Sequence, residues 1–440
     1  MGRGMRVSGI VFVAWLAILV VPRAFAVDEV IEPPDEPLFS AAAGPRLGEP
    51  RAVEAAWEPD HGGRLVVRPT ARGGYAWVEI PAPPGGWNLA RRAAVEAELE
   101  NTGDDPVELQ LWVVADRGLE SVGDFQRLAA GGRRTFSCRL REAFPDGTPK
   151  LDPARIVAVR LILVRPTPGG RVVVSGLRGS GSAEPFVRPK GRLELPAVED
   201  AAPAAGRRVR HRLAIDTGTG IHSLLHLPDD WEPGRRDAYP LIVELPGNIF
   251  FVPGCYSPGR PEQCVIGYGM TRGRGAIWLA VPFIDRSGGT IVENGWGDPD
   301  DAAEYLRLLV ADVCDRFGGD PGNVVLTGFS RGAIACGYIG LRDDRVAPLW
   351  KGFHCCQHHD GDGWSGATLA GAVERGRRFR GAAVFHTDNA AGPVAPVTEA
   401  MGVPATFVQS GLGAHSSVMF LDDRESTERL RGWFRGLVRR

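Results

Sequence analysis

The sequence predicts an all-β sandwich followed by a mostly parallel α/β sheet with helices on both faces. Two textures and the seam between them predict this. Residues 52 to 178 hold short strands of period two, separated by glycine-rich turns. From residue 209 onward, continuous apolar runs alternate with stretches of helical spacing, the mark of strands buried on both faces. Between the two, residues 179–208 are rich in Gly, Ser, Ala and Pro and read as a linker. The chain has 440 residues, 44% hydrophobic and 24% charged, enough for two or three domains.

In chain order, Arg3 and Arg6 precede an apolar run from Val7 to Val21, and Ala24-Phe25-Ala26 supplies small residues at the cleavage positions. Residues 1–26 therefore read as a secretory signal peptide, which places the protein outside the cytoplasm, secreted or periplasmic. The run is short for a bilayer crossing, which takes about 20 apolar residues, so no stable membrane insertion is expected after cleavage. Residues 27–51, rich in Pro, Ala and Glu, read as a flexible lead-in. Net charge is −2, so no bulk attraction to nucleic acid or anionic lipid is expected.

The sandwich strands include 64–68, 75–80, 94–99, 107–114, 133–138, 156–164 and 171–174, with turns at Gly73-Gly74, Gly85-Gly86, Asn101-Thr102-Gly103 and Gly131-Gly132. Trp77 and Trp112 sit within strands and read as core, while Trp87 lies in a loop where it could meet a sugar face. In the second half, strands are expected at 209–215, 221–227, 239–245, 276–282, 324–329, 350–353, 382–385 and 406–409. Helices are expected at 298–317, 369–380 and 427–437. Export makes disulfides possible. Of the seven cysteines, Cys255 and Cys264 flank a Pro/Gly-rich loop and are the best pair.

The chemistry centres on Gly328-Phe329-Ser330-Arg331-Gly332, a G-x-S-x-G turn between an apolar strand and a helix. In that context the pattern is a nucleophile elbow, which lifts the Ser330 oxygen clear of the sheet. A serine nucleophile needs a base, and the base needs an orienting acid, in the chain order Ser, acid, His at successive strand ends. Asp388 ends one later strand and His415 follows the next, so they are the acid and base candidates. Asp360 and Asp362 compete for the acid role. His354, His358, His359 and His386 fall too early for the base. The oxyanion donors are expected at the Arg331 N–H and in the Gly247-Asn248 loop after the first parallel strand.

With these residues in place, residues 209–440 resemble the α/β-hydrolase superfamily. The secreted esterase group with polyhydroxybutyrate depolymerase-like and feruloyl or acetylxylan esterase-like members is the most similar. Tyr239-Pro240-Leu241-Ile242-Val243, Asp320-Pro321-Gly322-Asn323-Val324, the elbow and the Asp388 and His415 positions carry the resemblance. Many relatives have His-Gly where this chain has Pro246-Gly247. Residues 52–178 resemble galactose-binding-like jelly-roll modules, on the 99–103 turn and the 156–163 strand. The resemblance implies a serine carboxyl-ester hydrolase that forms an acyl-enzyme, needs no cofactor, and acts on an acylated polysaccharide or another ester. A serine peptidase of the prolyl-oligopeptidase type shares the triad order, and a non-catalytic carbohydrate-binding protein is the reading from outside enzymes. The run His354-Cys355-Cys356-Gln357-His358-His359-Asp360 is too crowded for paired metal ligands and reads as a pocket loop with a possible disulfide, so no metal is expected. Trp296, His354 and Trp364 are the candidate substrate-binding residues.

Overall fold

The structure, a computed structural model, describes residues 35–438 apart from 41, 49, 116–120 and 236. The expected signal peptide lies outside the described residues. Among those described, no helix is long and apolar enough to cross a membrane.

The N-terminal lobe is a sandwich of antiparallel sheets. One sheet orders Val53–Glu58, Arg64–Pro69, Val172–Ser182, Arg92–Asn101 and Arg133–Arg139, with Glu36–Pro37 added to the long Val172–Ser182 strand. The other orders Tyr75–Pro81, Ile156–Val164, Val107–Ala115 and Ser121–Leu128. Period-two alternation sends Leu65, Val67, Val95, Ala97, Leu99, Leu109, Leu111 and Leu161 into the core between them. Asn101 ties off one turn, its amide donating to Asp105 O, Leu128 O and Ala129 O. The part of the expected lead-in that is described is docked rather than loose. Leu38 is buried in the sandwich core, and Gly48 N–H donates to Glu79 O.

The second lobe is built on a nine-stranded sheet. Its strands are β1 (Arg208–His211), β2 (Ser223–His226), β3 (Tyr239–Leu245), β4 (Ile277–Ala280), β5 (Gly319–Phe329), β6 (Trp350–Cys356), β7 (Ala383–Thr387) and β8 (Ala405–Val408), with Val198–Glu199 added at the β1 edge. They lie in the order β1-β2-β4-β3-β5-β6-β7-β8. β2 is antiparallel to both neighbours and the others run parallel. Both faces are buried. Leu241, Val243 and Leu326 face one core, and Ile242, Trp278 and Val325 face the other. The helices are α1 (Ile266–Thr271), α2 (Pro299–Phe317), α3 (Arg331–Tyr338), α4 (Leu369–Gly376), α5 (Ala391–Met401) and α6 (Glu425–Val438). α2 shows why the sequence was legible. Asp298 caps it by accepting from Asp300 N and Asp301 N, Pro299 opens it, Gly318 closes it in the left-handed region, and Ala302, Tyr305, Leu306, Leu309 and Val313 form its buried stripe.

The supposed linker is a strap, not a tether. Residues 183–199 donate from Ala183 N to Arg91 O, Phe186 N to Ala90 O and Leu193 N to Leu421 O, and Leu195 is fully buried. The expected Cys255–Cys264 disulfide is not formed, and all seven cysteines are free. Cys255 opens the second strand of a hairpin, Ile249–Val252 with Cys255–Pro258, whereas Cys264 ends a short helical turn packed in the second core beneath Val265 and Trp278.

That hairpin joins the lobes. Phe251 is buried against the outer face of the four-stranded sheet, its ring centroid 5.0 Å from Tyr75, 5.9 Å from Trp77 and 5.2 Å from Tyr256. Gln110 donates to Phe251 O at 3.0 Å, and Arg51 pairs with Glu293. Trp77 and Trp112 are thus buried as expected, but in the seam between lobes and not in the sandwich's own core. Emptying a buried aromatic site costs about 3–5 kcal/mol. Phe251→Ala is therefore expected to lower stability by that amount, and calorimetry of the parent protein should show both lobes melting in one transition. Two separate transitions would contradict a shared core.

Candidate active site

Ser330 caps α3 with φ 55° and ψ −120°, a conformation that costs a non-glycine residue about 1–3 kcal/mol and persists only where the surroundings impose it. Here they do. Ser330 N–H donates to Cys356 O at 3.0 Å, and Ser330 O accepts from Ala333 N and Ile334 N. The flanking glycines are required by contact. A Cβ on Gly328 would lie 2.2 Å from Gly332 C, and one on Gly332 would lie 2.0 Å from Leu245 O. The turn therefore closes against β3, as the sequence pattern demands.

His415 Nε2 lies 3.0 Å from Ser330 Oγ. Its ring packs on Phe329 at 4.7 Å and meets His358 edge-on at 5.5 Å. Its loop is braced from the sandwich lobe. Arg424 donates to Ser410 O at 3.0 Å and pairs with Asp146 at 3.0 Å, and Gly413 packs on Pro145. Burial, with a smaller push from His358, lowers the His415 pKa to about 4, so the ring is neutral and able to accept a proton at neutral pH. For a base of this kind, kcat/KM should rise with pH through an apparent pKa near 4 and then stay level to neutrality. A pH–rate profile with its acid limb at the ordinary histidine value of about 6.5 would contradict this environment.

Asp388 is close to this loop but does not touch the imidazole. Its Oδ1 accepts from Ser410 N at 2.5 Å, and its Oδ2 from Ser410 Oγ at 2.6 Å and Gln357 Nε2 at 3.2 Å. Gln357 also donates to Ala414 O at 2.7 Å, so the carboxylate anchors the segment that carries His415. Among the described residues, no carboxylate bonds the second nitrogen of His415. The rival acids are engaged elsewhere. Asp360 pairs with Arg375 at 2.6 Å, and Asp362 with His358 at 2.6 Å.

The Gly247-Asn248 loop is held from beneath by the Arg331 side chain. This fully buried guanidinium donates to Gly247 O at 2.8 Å, Gly259 O at 3.2 Å, Val292 O at 3.1 Å and Gly295 O at 2.7 Å, and it stacks 4.1 Å over Phe283. The Gly247–Asn248 peptide is trans, so drawing its carbonyl toward Arg331 points the Asn248 N–H the opposite way. Asn248 borders the cavity at Ser330, and its N–H has no partner among the described residues. Its other polar atoms are fixed by Ser257, Asn294 and Gly295. Pro246 precedes this peptide, with Arg331 below and Gln263 alongside, the latter 3.0 Å from where a Gly247 Cβ would sit. Two residues before Pro246, buried Glu244 accepts from the N–H groups of Val265, Ile266, Gly267 and Trp278, locking β3 to α1. Burial pushes its carboxyl above the usual range and those backbone donors oppose the shift.

The cavity over Ser330 has a volume of about 230 Å³ and is bordered by Asn248, Phe250, Cys255, Ile334, His358 and Trp364. Trp364 thus borders this cavity. Trp296 is one layer back, stacked on Tyr338 and edge-on to Trp364, with its Nε1 donating to Ser365 O. His354 does not reach the cavity. It is fully buried in β6 between Thr327 Oγ1 at 2.7 Å and Thr387 Oγ1 at 3.0 Å, and desolvation drives its pKa down to about 3. Its place within a parallel strand, two residues before the strand's end, makes it a core residue. The hairpin residues Phe250 and Cys255 were missed, because their Pro/Gly-rich surroundings read as a disulfide loop.

No protein-family profile and no curated protein matches the chain. Solved structures that it resembles include esterases and a carbohydrate-binding module. A mutant feruloyl esterase module from Clostridium thermocellum complexed with sinapinate is 16% identical, over 57% of this chain and 95% of that one, with a TM-score of 0.31. The AtxE2 isopeptidase with Astexin3-dC4 bound is 14% identical, over 85% of this chain and 66% of that one, with a TM-score of 0.36. PfGH50B is 16% identical, over 33% of this chain, with a TM-score of 0.26, and the chain spans 24% of its length. At those scores the likeness is too loose to carry an activity across.

Proposed function

We propose that this chain is a serine carboxyl-ester hydrolase of the α/β-hydrolase kind, exported by its N-terminal apolar run, that deacylates a polysaccharide or related polymer. The observation that carries the reading is the 3.0 Å approach of His415 Nε2 to Ser330 Oγ at a strained strand-to-helix turn. Ser330 Oγ attacks the ester carbonyl while His415 takes its proton. The carbonyl oxygen, now negative, meets the Asn248 and Arg331 N–H groups. The C–O bond to the alcohol breaks, and His415 returns the proton to the departing oxygen. Water, deprotonated by the same imidazole, then cleaves the acyl-enzyme. Asp388 holds the His415 loop through Ser410 and Gln357. The choice of a polymer rests on the fused sandwich and the leader-like N-terminus. The test is a side-by-side assay on an aryl acetate, an acetylated polysaccharide and peptide anilides. Ester cleavage that exceeds anilide cleavage, with acetate released from the polymer, is the expected result. Anilide cleavage without ester cleavage would sink the esterase reading.

A further inference from the structure

A second cavity, of about 250 Å³, lies between the lobes and shares Cys255, Phe329 and His415 with the cavity over Ser330. The sandwich supplies one wall through Trp112, Ser121 and Phe125, and the hairpin supplies the facing wall through Pro253 and Tyr256. Phe144 and the Glu142–Lys150 ion pair, at 2.7 Å, complete the border. Ser121 is 7% exposed, and its hydroxyl has no hydrogen-bond partner among the described residues. A buried hydroxyl without a partner costs free energy unless a ligand or water meets it.

We propose that this interlobe cavity is the alcohol-side subsite of the enzyme, and that it takes one ring-bearing alcohol, a single pyranose with an apolar face. The inference rests on the hydrolase reading above and goes further by giving the sandwich a part in the site. The oxyanion donors, Asn248 and Arg331, border the first cavity together with Ser330, so the acyl group lies there. The departing oxygen must lie within reach of His415, which protonates it. His415 is the wall the two cavities share, so the rest of the alcohol extends past it into the second. A cavity of about 150 Å³ already holds a benzene ring, so this volume accepts one ring, the acylated residue itself, and the rest of a polymer stays outside it. Aromatic side chains suit the apolar face of a sugar, and Ser121 Oγ offers one polar anchor.

The test compares ethyl acetate with a mono-O-acetylated methyl pyranoside in the parent protein, Ser121→Phe, which fills the cavity, and Phe125→Ala, which removes one wall. Binding of the unacetylated methyl pyranoside is followed in parallel by saturation-transfer NMR. The expected result is a parent kcat/KM at least tenfold higher for the pyranoside ester. That preference falls tenfold or more in Ser121→Phe and severalfold in Phe125→Ala, with ethyl acetate turnover unchanged in Phe125→Ala. A preference unmoved by Phe125→Ala, or its absence in the parent, overturns the subsite while leaving the hydrolase intact. Pyranoside binding that is lost in Ser121→Phe, in a protein that cleaves neither ester, would keep the subsite and overturn the hydrolase.

Discussion

If Ser330 is the proposed nucleophile, Ser330→Ala is expected to lower kcat for ester hydrolysis by a factor on the order of 10⁴ to 10⁶, with KM little changed, because only the residual catalysis of binding and the proposed oxyanion donors is left. The substitution deletes one oxygen from a half-buried side chain whose backbone is fixed by Cys356 O and the first turn of α3. The fold is held by Gly328 and Gly332 packing against each other and against β3, and these contacts do not involve Oγ. The melting temperature should therefore move little while activity collapses. Steady-state kinetics and a thermal melt on the same preparation check both halves. A variant that keeps more than a hundredth of the parent kcat would remove Ser330 from the chemistry.

Arg331→Met lowers kcat by about 10²- to 10³-fold, the loss expected when one oxyanion donor is misplaced. The side chain is fully buried, with its guanidinium turned to backbone carbonyls. Its guanidinium gathers four carbonyls from three segments, and one of them belongs to the peptide whose other end is the Asn248 N–H. A methionine fills the volume and donates nothing, so the Gly247 peptide is free to rotate away from its productive orientation. The variant also leaves buried carbonyls unpaired, at a cost of about 1–3 kcal/mol for each that water cannot reach. Arg331→Lys separates the effects, because one ammonium cannot span four acceptors yet keeps the charge over Phe283. For a positioning role, both variants should lose kcat with KM nearly constant, and lysine should recover part of the loss. Equal falls in melting temperature with kcat preserved would make Arg331 a structural residue only.

The parts legible in the sequence were those set by local rules. Asp298, Pro299 and Gly318 mark the ends of α2, and the glycines around Ser330 mark the elbow, because capping and tight turns are decided by a few neighbours. The chain order that singled out His415 over His354 or His386 also reflects topology that a strand count can follow, and His415 does lie beside Ser330. What escaped depends on contacts distant in sequence. Nothing near Arg331 announces that its side chain turns under the sheet toward Gly259 and Gly295. The hairpin at Ile249–Pro258 looked like an irregular loop because its apolar residues face another lobe and not its own core. The strap at 183–199 has a linker's composition, yet it is held by backbone hydrogen bonds that composition does not encode. Asp388 was placed at the right strand end, while Ser410, which takes both of its oxygens, follows the next strand and showed no signal.

We propose that Ser330 is a nucleophile activated by His415. Labelling with a fluorophosphonate probe, followed by intact-mass and peptide-mass analysis, tests it most directly. The expected result is one adduct per chain, on the peptide containing Ser330, absent from Ser330→Ala and slowed sharply in His415→Ala. No adduct on the parent protein, or an adduct that persists in Ser330→Ala, would contradict it.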